Sequence, residues 1–213
     1  DTFKAGVKET PLGLTVNGTA GVVITTQHLG VLPTKNWQQG TFDGWENIHG
    51  EQLTEKYLVS NKACYACPIG CGRKTRVEDS TFVGEGEGPE YETIYAMGAN
   101  CMIDNLAAII KANYLCNELG LDTITMGATV ACAMELVDRG YLSEKVVGRP
   151  LPWGDGEALV DLTRKTGYRE GFGNRLAEGS YRLAESCGHP ELAMVAKKQE
   201  FPGYEPRGAQ AMG

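Results

Sequence analysis

The chain has 213 residues, of which 42% are hydrophobic and 22% are charged, a composition that is ordinary for a globular protein able to bury a substantial core. Its net charge of −7 argues against nucleic acid or an anionic membrane as a main partner. No apolar run approaches the length of a membrane span and no signal peptide heads the chain, so we expect a cytoplasmic protein with reduced cysteines.

The predicted elements are mostly helices joined by loops. Residues 1–20 predict a loop or the start of a short strand. Residues 22–32 form an apolar segment that is either a buried helix or a strand, and Pro33 ends it. Residues 51–60 show a helical pattern with one apolar face. The fold class we predict is mainly α, a multihelical domain whose long loops carry the unusual residues.

Three cysteines follow this helix with the spacing C-x2-C-x3-C: Cys64, Cys67 and Cys71. Pro68 and Gly70 keep the backbone out of a regular helix, so it can wrap around one centre. Three close thiolates repel each other unless a metal takes up their charge, and without a histidine nearby the pattern favours an iron–sulfur cluster over zinc. Zinc stays an alternative, and a disulfide framework is a third that the odd count of seven cysteines disfavours.

A glutamate-rich segment, residues 84–93, leads as a loop into an apolar run. The simplest interpretation of Glu85 and Glu87 is solvated loop charge. The same interpretation is applied to Glu90. Glu90 and Glu92 would share a face on a strand but not on a helix. A glutamate enclosed near a metal and apolar walls would have a raised pKa and could move protons at neutral pH.

Two central helices are predicted next. The first is capped by Asp104 or Asn105 and ends at Gly120; the second is capped by Asp122 or Thr123 and ends at Gly140. Their predicted inward positions are Leu106, Ile109, Ile110, Tyr114, Met126, Val130, Ala133, Met134 and Val137.

The loop that joins the two helices has two interpretations. Asp122 is a plain helix N-cap in the first. In the second, the free N–H groups of the helix N-terminus suit a phosphate, and the carboxylate accepts paired N–H bonds from a pterin ring edge.

The remaining chain predicts further helices and few chemical groups. Residues 147–156 form a Pro/Gly loop, and two helices follow at residues 157–166 and 175–186, closed by Gly167 and Gly188. The other cysteines are expected to be small core residues or to sit at a helix end: Cys101, Cys116, Cys132 and Cys187. Arg73 is either a hydrogen-bond donor to cluster sulfur or a bound anion, or a plain surface arginine.

Five stretches in order carry a resemblance to a known family. They are ACYACPIGCGR at 63–73, EGPEYET at 87–93, NELGLDTI at 117–124, EGFG at 170–173 with LAEGS at 176–180, and YEPRG at 204–208. The chain resembles the tungsten-containing aldehyde:ferredoxin oxidoreductases, and the order and spacing match along nearly the whole chain from about Gly18.

The resemblance implies an enzyme that oxidises aldehydes to carboxylates at a tungsten or molybdenum bis-pterin centre. Electrons pass through a nearby 4Fe–4S cluster to ferredoxin. Residues 1–213 are then one helical domain, a piece of a longer polypeptide from which a pterin-binding N-terminal β domain and a C-terminal helical domain are missing. The ends, Asp1 and Gly213, agree with that expectation, and the chain alone is expected to be inactive.

The resemblance also assigns roles by position. Cys64, Cys67 and Cys71 would be three cluster ligands, with the fourth in the following domain and Arg73 beside them. The loop that meets one pterin would include Asn117, Asp122 and Thr123. Glu92 would be the proton carrier beside the metal.

The chain departs from the family pattern at two places. The pterin loop of many members begins with Asp, but here it begins with Asn117, whose amide offers one acceptor oxygen. A Glu-x-x-His metal pair between subunits in some members is replaced by Lys111 and Tyr114, so we expect no such intersubunit site. The alternative function is a small cysteine-ligated metal-binding or electron-transfer module without catalysis of its own.

Overall fold

The computed structural model describes residues 5–6, 13–78 and 81–206. The main helices in these ranges are α1 Gly13–Asn17, α2 Val22–His28, α3 Gly50–Tyr57, α4 Tyr91–Met97, α5 Leu106–Leu119, α6 Thr123–Asp138, α7 Glu144–Val147, α8 Gly156–Tyr168, α9 Gly173–Leu176 and α10 Ser180–Ser186. Short 3-10 turns cover Thr19–Gly21, Asp43–Asn47, Ala99–Cys101 and Pro190–Leu192. The mainly α prediction is therefore confirmed. Within the described ranges, none of the helices combines the length and the apolar character needed to cross a bilayer.

Two small antiparallel sheets accompany the helices. The strands β1 Leu58–Lys62, β2 Gly72–Val77 and β3 Gly84–Glu87 form one sheet in that order, and β4 Val195–Ala196 pairs with β5 Gln199–Glu200. The cysteine segment, residues 63–71, is the connection between β1 and β2.

Helix α5 holds the three-stranded sheet in place. The Lys111 Nζ donates to the Val83 carbonyl at 3.0 Å, and the Tyr114 hydroxyl donates to the Thr75 carbonyl at 2.8 Å. The Tyr114 ring lies against β3, where a Cβ on Gly86 would come within 2.9 Å of it. Lys111 and Tyr114 therefore act as an intrachain clamp between α5 and the sheet.

The core lies between α4, α5, α6 and α8. Helix α4 packs on α6, and α5 packs on α8. The predicted inward positions of α5 and α6 are buried, except that Val137 is half-buried. Cys101, Cys116 and Cys132 are fully buried core residues, as predicted, and all seven cysteines are free thiols, which rules out the disulfide framework.

The predicted ends of the central helices are confirmed because their caps are local. The Asn105 Oδ1 accepts from the Ala108 N–H at 3.2 Å, and the Asp122 Oδ2 accepts from the Thr125 N–H at 2.7 Å. Gly120 ends α5 in the left-handed conformation with φ 68°.

Three predictions were wrong where distant residues decide the structure. Part of the predicted loop 1–20 is helix α1. The predicted loop 84–93 is instead strand β3, whose glycines make room for Tyr114, followed by α4. The predicted helix 175–186 is two helices, because Gly179 takes φ 85° and the Glu200 carboxylate accepts from the Ser180 N–H at 3.2 Å.

Smaller differences concern the remaining elements. The apolar segment 22–32 contains helix α2, which settles the choice between helix and strand. Helix α3 stops at Tyr57 because β1 begins at the next residue, Leu58. Gly167 lies inside α8, which ends instead at Arg169 in the left-handed conformation with φ 54°.

Candidate functional site

The cysteine segment is a tight turn at the surface. The Cys67 N–H donates to the Cys64 carbonyl at 3.0 Å, and Ala66 and Gly70 adopt positive φ angles of 56° and 62°. Cys64 is exposed, whereas Cys67 and Cys71 are half-buried. Three free thiols in one turn without a histidine suit a soft metal group such as an iron–sulfur cluster or zinc. In the described part of the chain, no three His, Cys, Asp or Glu side chains converge into a complete metal site.

Arg73 is buried beside this segment, with 2% of its surface exposed. Its Nη1 donates to the carbonyls of Gly70 and Gly72, each at 3.3 Å, and its Nη2 donates to the carbonyls of Leu14 and Thr15 at 3.1 and 2.9 Å. Burial lowers the pKa of Arg73, and the charges of Glu90 and Cys71 oppose that shift. The interpretation of Arg73 as a surface arginine was wrong.

The glutamates of the acidic segment divide into two kinds. Glu85 and Glu87 pair with basic side chains of the sheet, at 2.5 Å to Lys74 and 2.9 Å to Lys62 respectively, and these carboxylates face solvent. Glu90 is half-buried and accepts a short hydrogen bond from the Thr19 hydroxyl. The prediction of solvated charge was therefore wrong for Glu90.

Glu92 lies in the first turn of α4 and is half-buried. Its Oε2 accepts from the Gly203 N–H at 2.8 Å. Burial raises the pKa of Glu92, the Gly203 bond lowers it, and the charge of Asp122 raises it further. The Tyr91 hydroxyl donates to the Gly203 carbonyl, so the main chain of one residue, Gly203, binds two neighbouring residues of α4. This carboxylate can hold or release a proton nearer neutral pH than an exposed one.

The loop between α5 and α6 approaches the same helix. The Thr93 hydroxyl, one residue beyond Glu92, donates to the Thr123 hydroxyl at 2.9 Å. Asp122 caps α6, so its N-cap interpretation is confirmed, and its side chain is exposed. Asn117 is exposed in the last turn of α5.

A pocket of about 290 Å³ opens next to this loop, between the start of α6 and the end of α8. Its polar lining includes Asp122, Thr125, Thr129 and Arg169. The Thr129 hydroxyl is buried and has no hydrogen-bond partner within the described ranges. A polar ligand that enters the pocket could therefore bond to a hydroxyl that is otherwise unsatisfied.

The predicted site residues thus fall into two groups. Arg73 lies with the cysteine segment, and Glu92 lies with Asp122 and Thr123. Sequence reasoning missed Thr19 and Gly203, which bind α4 from opposite ends of the chain; the one available signal was that Gly203 precedes the YEPRG stretch. Arg207 and Gly208 of that stretch lie outside the described residues.

Known proteins match this chain over nearly its whole length. The family model "Aldehyde ferredoxin oxidoreductase, domains 2 & 3" matches residues 2–213. The tungsten-containing aldehyde ferredoxin oxidoreductase of Pyrococcus furiosus is 52% identical over 203 residues, and that of Thermococcus kodakarensis is 49% identical over 203 residues. Each alignment covers 94% of this chain and 33% of the relative, so the chain spans about a third of the length of these relatives.

A solved structure shares the fold at low sequence identity. It is a chain of the active site complex BamBC of benzoyl coenzyme A reductase in complex with 1,5-dienoyl-CoA. Its TM-score is 0.73 at 20% identity, and the match covers 95% of this chain and 32% of that chain. From the family model and the close relatives together, the chain belongs to the aldehyde ferredoxin oxidoreductase family.

Proposed function

We propose that this chain is part of an oxidoreductase that converts aldehydes to carboxylic acids. The full enzyme would hold tungsten through two pterins and would pass electrons through a 4Fe–4S cluster to ferredoxin. We propose further that residues 1–213 form one helical domain, and that the other contacts to these cofactors come from an N-terminal β domain and a C-terminal helical domain of the full-length protein. The observation that carries the proposal is the position of Glu92, a half-buried carboxylate beside the α5–α6 loop, in a chain of this family.

The residues of the chain would divide the work as follows. Cys64, Cys67 and Cys71 would bind the cluster as thiolates, and their soft sulfur atoms suit iron. The loop carrying Asn117, Asp122 and Thr123 would hold one pterin: the exposed Asp122 carboxylate can accept paired N–H bonds. Arg73 would lie next to the cluster.

Glu92 would act as a proton acceptor in the reaction. Oxidation of an aldehyde to an acid adds the oxygen of water to the carbonyl carbon and releases two electrons and two protons. The tungsten centre would accept the two electrons and the cluster would pass them on singly. Glu92, ionised at the start, would take one of the protons, and the Gly203 N–H would hold its carboxylate in a fixed orientation.

The test uses the full-length enzyme with Glu92→Gln. Loss of a general acid–base group should lower turnover by about 10²–10⁴-fold while tungsten content stays near the wild-type value. Glu87→Gln is the matched control because that carboxylate is exposed and lies on β3, and it should leave turnover unchanged. Equal loss of turnover and tungsten in Glu92→Gln would assign Glu92 a structural role.

The metal content separates the proposal from its alternative. Iron with inorganic sulfide in the anaerobically purified enzyme is the expected result. One zinc ion per chain in a colourless protein would contradict the cluster and would favour a small metal-binding module.

A further inference from the structure

The hydrogen bonds of Arg73 surround one cysteine. Its Nη1 donates to the carbonyls of Gly70 and Gly72, the residues directly before and after Cys71. The guanidinium is planar and its N–H groups point in fixed directions. These two bonds therefore fix the main chain on both sides of Cys71.

The other half of the guanidinium is anchored in a distant part of the chain. Its Nη2 donates to the carbonyls of Leu14 and Thr15 in helix α1, 59 and 58 residues earlier. A second close approach lies next to these bonds, because a Cβ on Gly18 would come within 2.8 Å of the Cys71 carbonyl oxygen and 3.0 Å of the Arg73 Nε. The segment 14–18 therefore packs against the cysteine turn and supports it.

The charge of Arg73 is not balanced by these contacts. All four hydrogen bonds end on main-chain carbonyls, and the Nε is buried without a hydrogen-bond partner in the described ranges. A buried cation is costly by several kcal/mol unless negative charge lies nearby. The Glu90 carboxylate, whose charge raises the pKa of Arg73, supplies part of it, and a thiolate-bound cluster would add net negative charge beside Cys71.

We propose that Arg73 is a positioning residue for Cys71, and that its buried charge stabilises the reduced form of the cluster bound there. The inference rests on the proposed function in that it takes the group at Cys71 to be an iron–sulfur cluster. The guanidinium fork holds the ligand in place, while the positive charge favours the state with one more electron and so raises the reduction potential.

The experiment compares full-length enzymes with Arg73→Met and Arg73→Lys. Two quantities are measured anaerobically: the rate of iron release to a chelator, and the reduction potential of the cluster by a titration followed with electron paramagnetic resonance. Arg73→Met should release iron about 10–100-fold faster, because loss of a group that orients a metal ligand typically costs this factor in metal affinity, and it should have a lower potential. Arg73→Lys should also release iron faster, because its ammonium cannot form the planar fork, but it should keep the potential.

Arg76→Met is the matched control because Arg76 lies on the same strand but is exposed and pairs with Glu85 at 2.6 Å. It should change neither quantity. An Arg73→Met enzyme with wild-type iron release would overturn the positioning role, and one with a wild-type potential would overturn the charge effect.

A second variant keeps the proposal testable if the Arg73 variants do not fold. Gly18→Ala places a methyl group against the Cys71 carbonyl without removing any side chain. Gly30→Ala is its control: the φ angle is similarly positive, 69° against 63° at Gly18, but the added Cβ meets no atom within 4 Å. Faster iron release in Gly18→Ala alone is expected, and equal rates in the two variants would overturn the support by residues 14–18. Zinc instead of iron in the wild type would refute the proposed cluster. The rates of metal release to the chelator would still test whether Arg73 positions Cys71.

Discussion

Replacing Gly127 with alanine should separate the two helices on which the Glu92 group lies. Gly127 is in the second turn of α6, which packs on α4. A Cβ there would lie 2.5 Å from the carbonyl carbon of Ala96, whereas ordinary contact begins at 3.4 Å. The difference, about 0.9 Å, has to come from movement of one backbone against the other, because no side chain can rotate out of the way.

Two effects of opposite sign decide the stability of this variant. Alanine is favoured over glycine inside a helix by about 1 kcal/mol. Overpacking of a buried contact costs about 1–3 kcal/mol, and the contact at Ala96 is with the main chain of a fully buried residue. We therefore expect a net loss of about 0–2 kcal/mol in the free energy of unfolding. Turnover should fall further, because a misplacement of about 1 Å can cost about 10²-fold in rate.

The matched control is Gly167→Ala in helix α8. Its Cβ would also come within 2.5 Å of a neighbour, but that neighbour is the Leu119 side chain, which is half-buried and can turn away. Thermal unfolding of the full-length protein and turnover per tungsten are the measurements. The reasoning is refuted if Gly127→Ala is as stable and as active as Gly167→Ala.

Three further predictions concern single groups. Tyr114→Phe removes the hydroxyl that bonds to Thr75 and should lower the free energy of unfolding by about 1–3 kcal/mol in urea denaturation, because a buried carbonyl loses its donor; unchanged stability would contradict the clamp. In the metal-free full-length protein, iodoacetamide should label the exposed Cys64 but not Cys132, since burial raises the pKa of the Cys132 thiol to about 12; peptide mass spectrometry checks this. Burial also raises the pKa of Glu92, so the native state keeps this proton after the unfolded chain has lost it, and stability present at low pH is lost as the pH rises through the raised pKa. Relative to the wild type, Glu92→Gln should gain unfolding free energy as the pH rises from the ordinary pKa of a glutamate, about 4.3, through the raised pKa of Glu92, and a difference independent of pH would refute the shift.

The parts of the fold that the sequence predicts are those with local determinants. The ends of α5 and α6 follow from Asn105, Gly120 and Asp122, which act within three or four residues of themselves. The apolar period of these helices also predicts their buried faces, because they pack in the interior on several sides. The mainly α class follows from these long, regular elements.

The parts that it misses depend on partners far along the chain. The burial of Arg73 depends on carbonyls of residues 14 and 15, and the environment of Glu90 depends on Thr19, 71 residues earlier. Hydrophobic periodicity contains no information on such pairs. The roles of the candidate residues were carried by the family resemblance, and they stay predictions until the metal and the turnover of the variants are measured.

Helix α4 explains why those distant contacts matter for the site. It has seven residues, and isolated helices of fewer than about 12 residues are marginal in water, so packing has to hold it. The Thr19 hydroxyl accepts from the Tyr91 N–H at its start, the Gly203 N–H holds Glu92 in its first turn, and Gly127 of α6 lets the backbones touch at its far end. The same Thr19 bonds to Glu90 and follows Gly18, which lies against Cys71. The segment 14–19 therefore contacts both the cysteine turn and the residues at the start of the helix that carries Glu92.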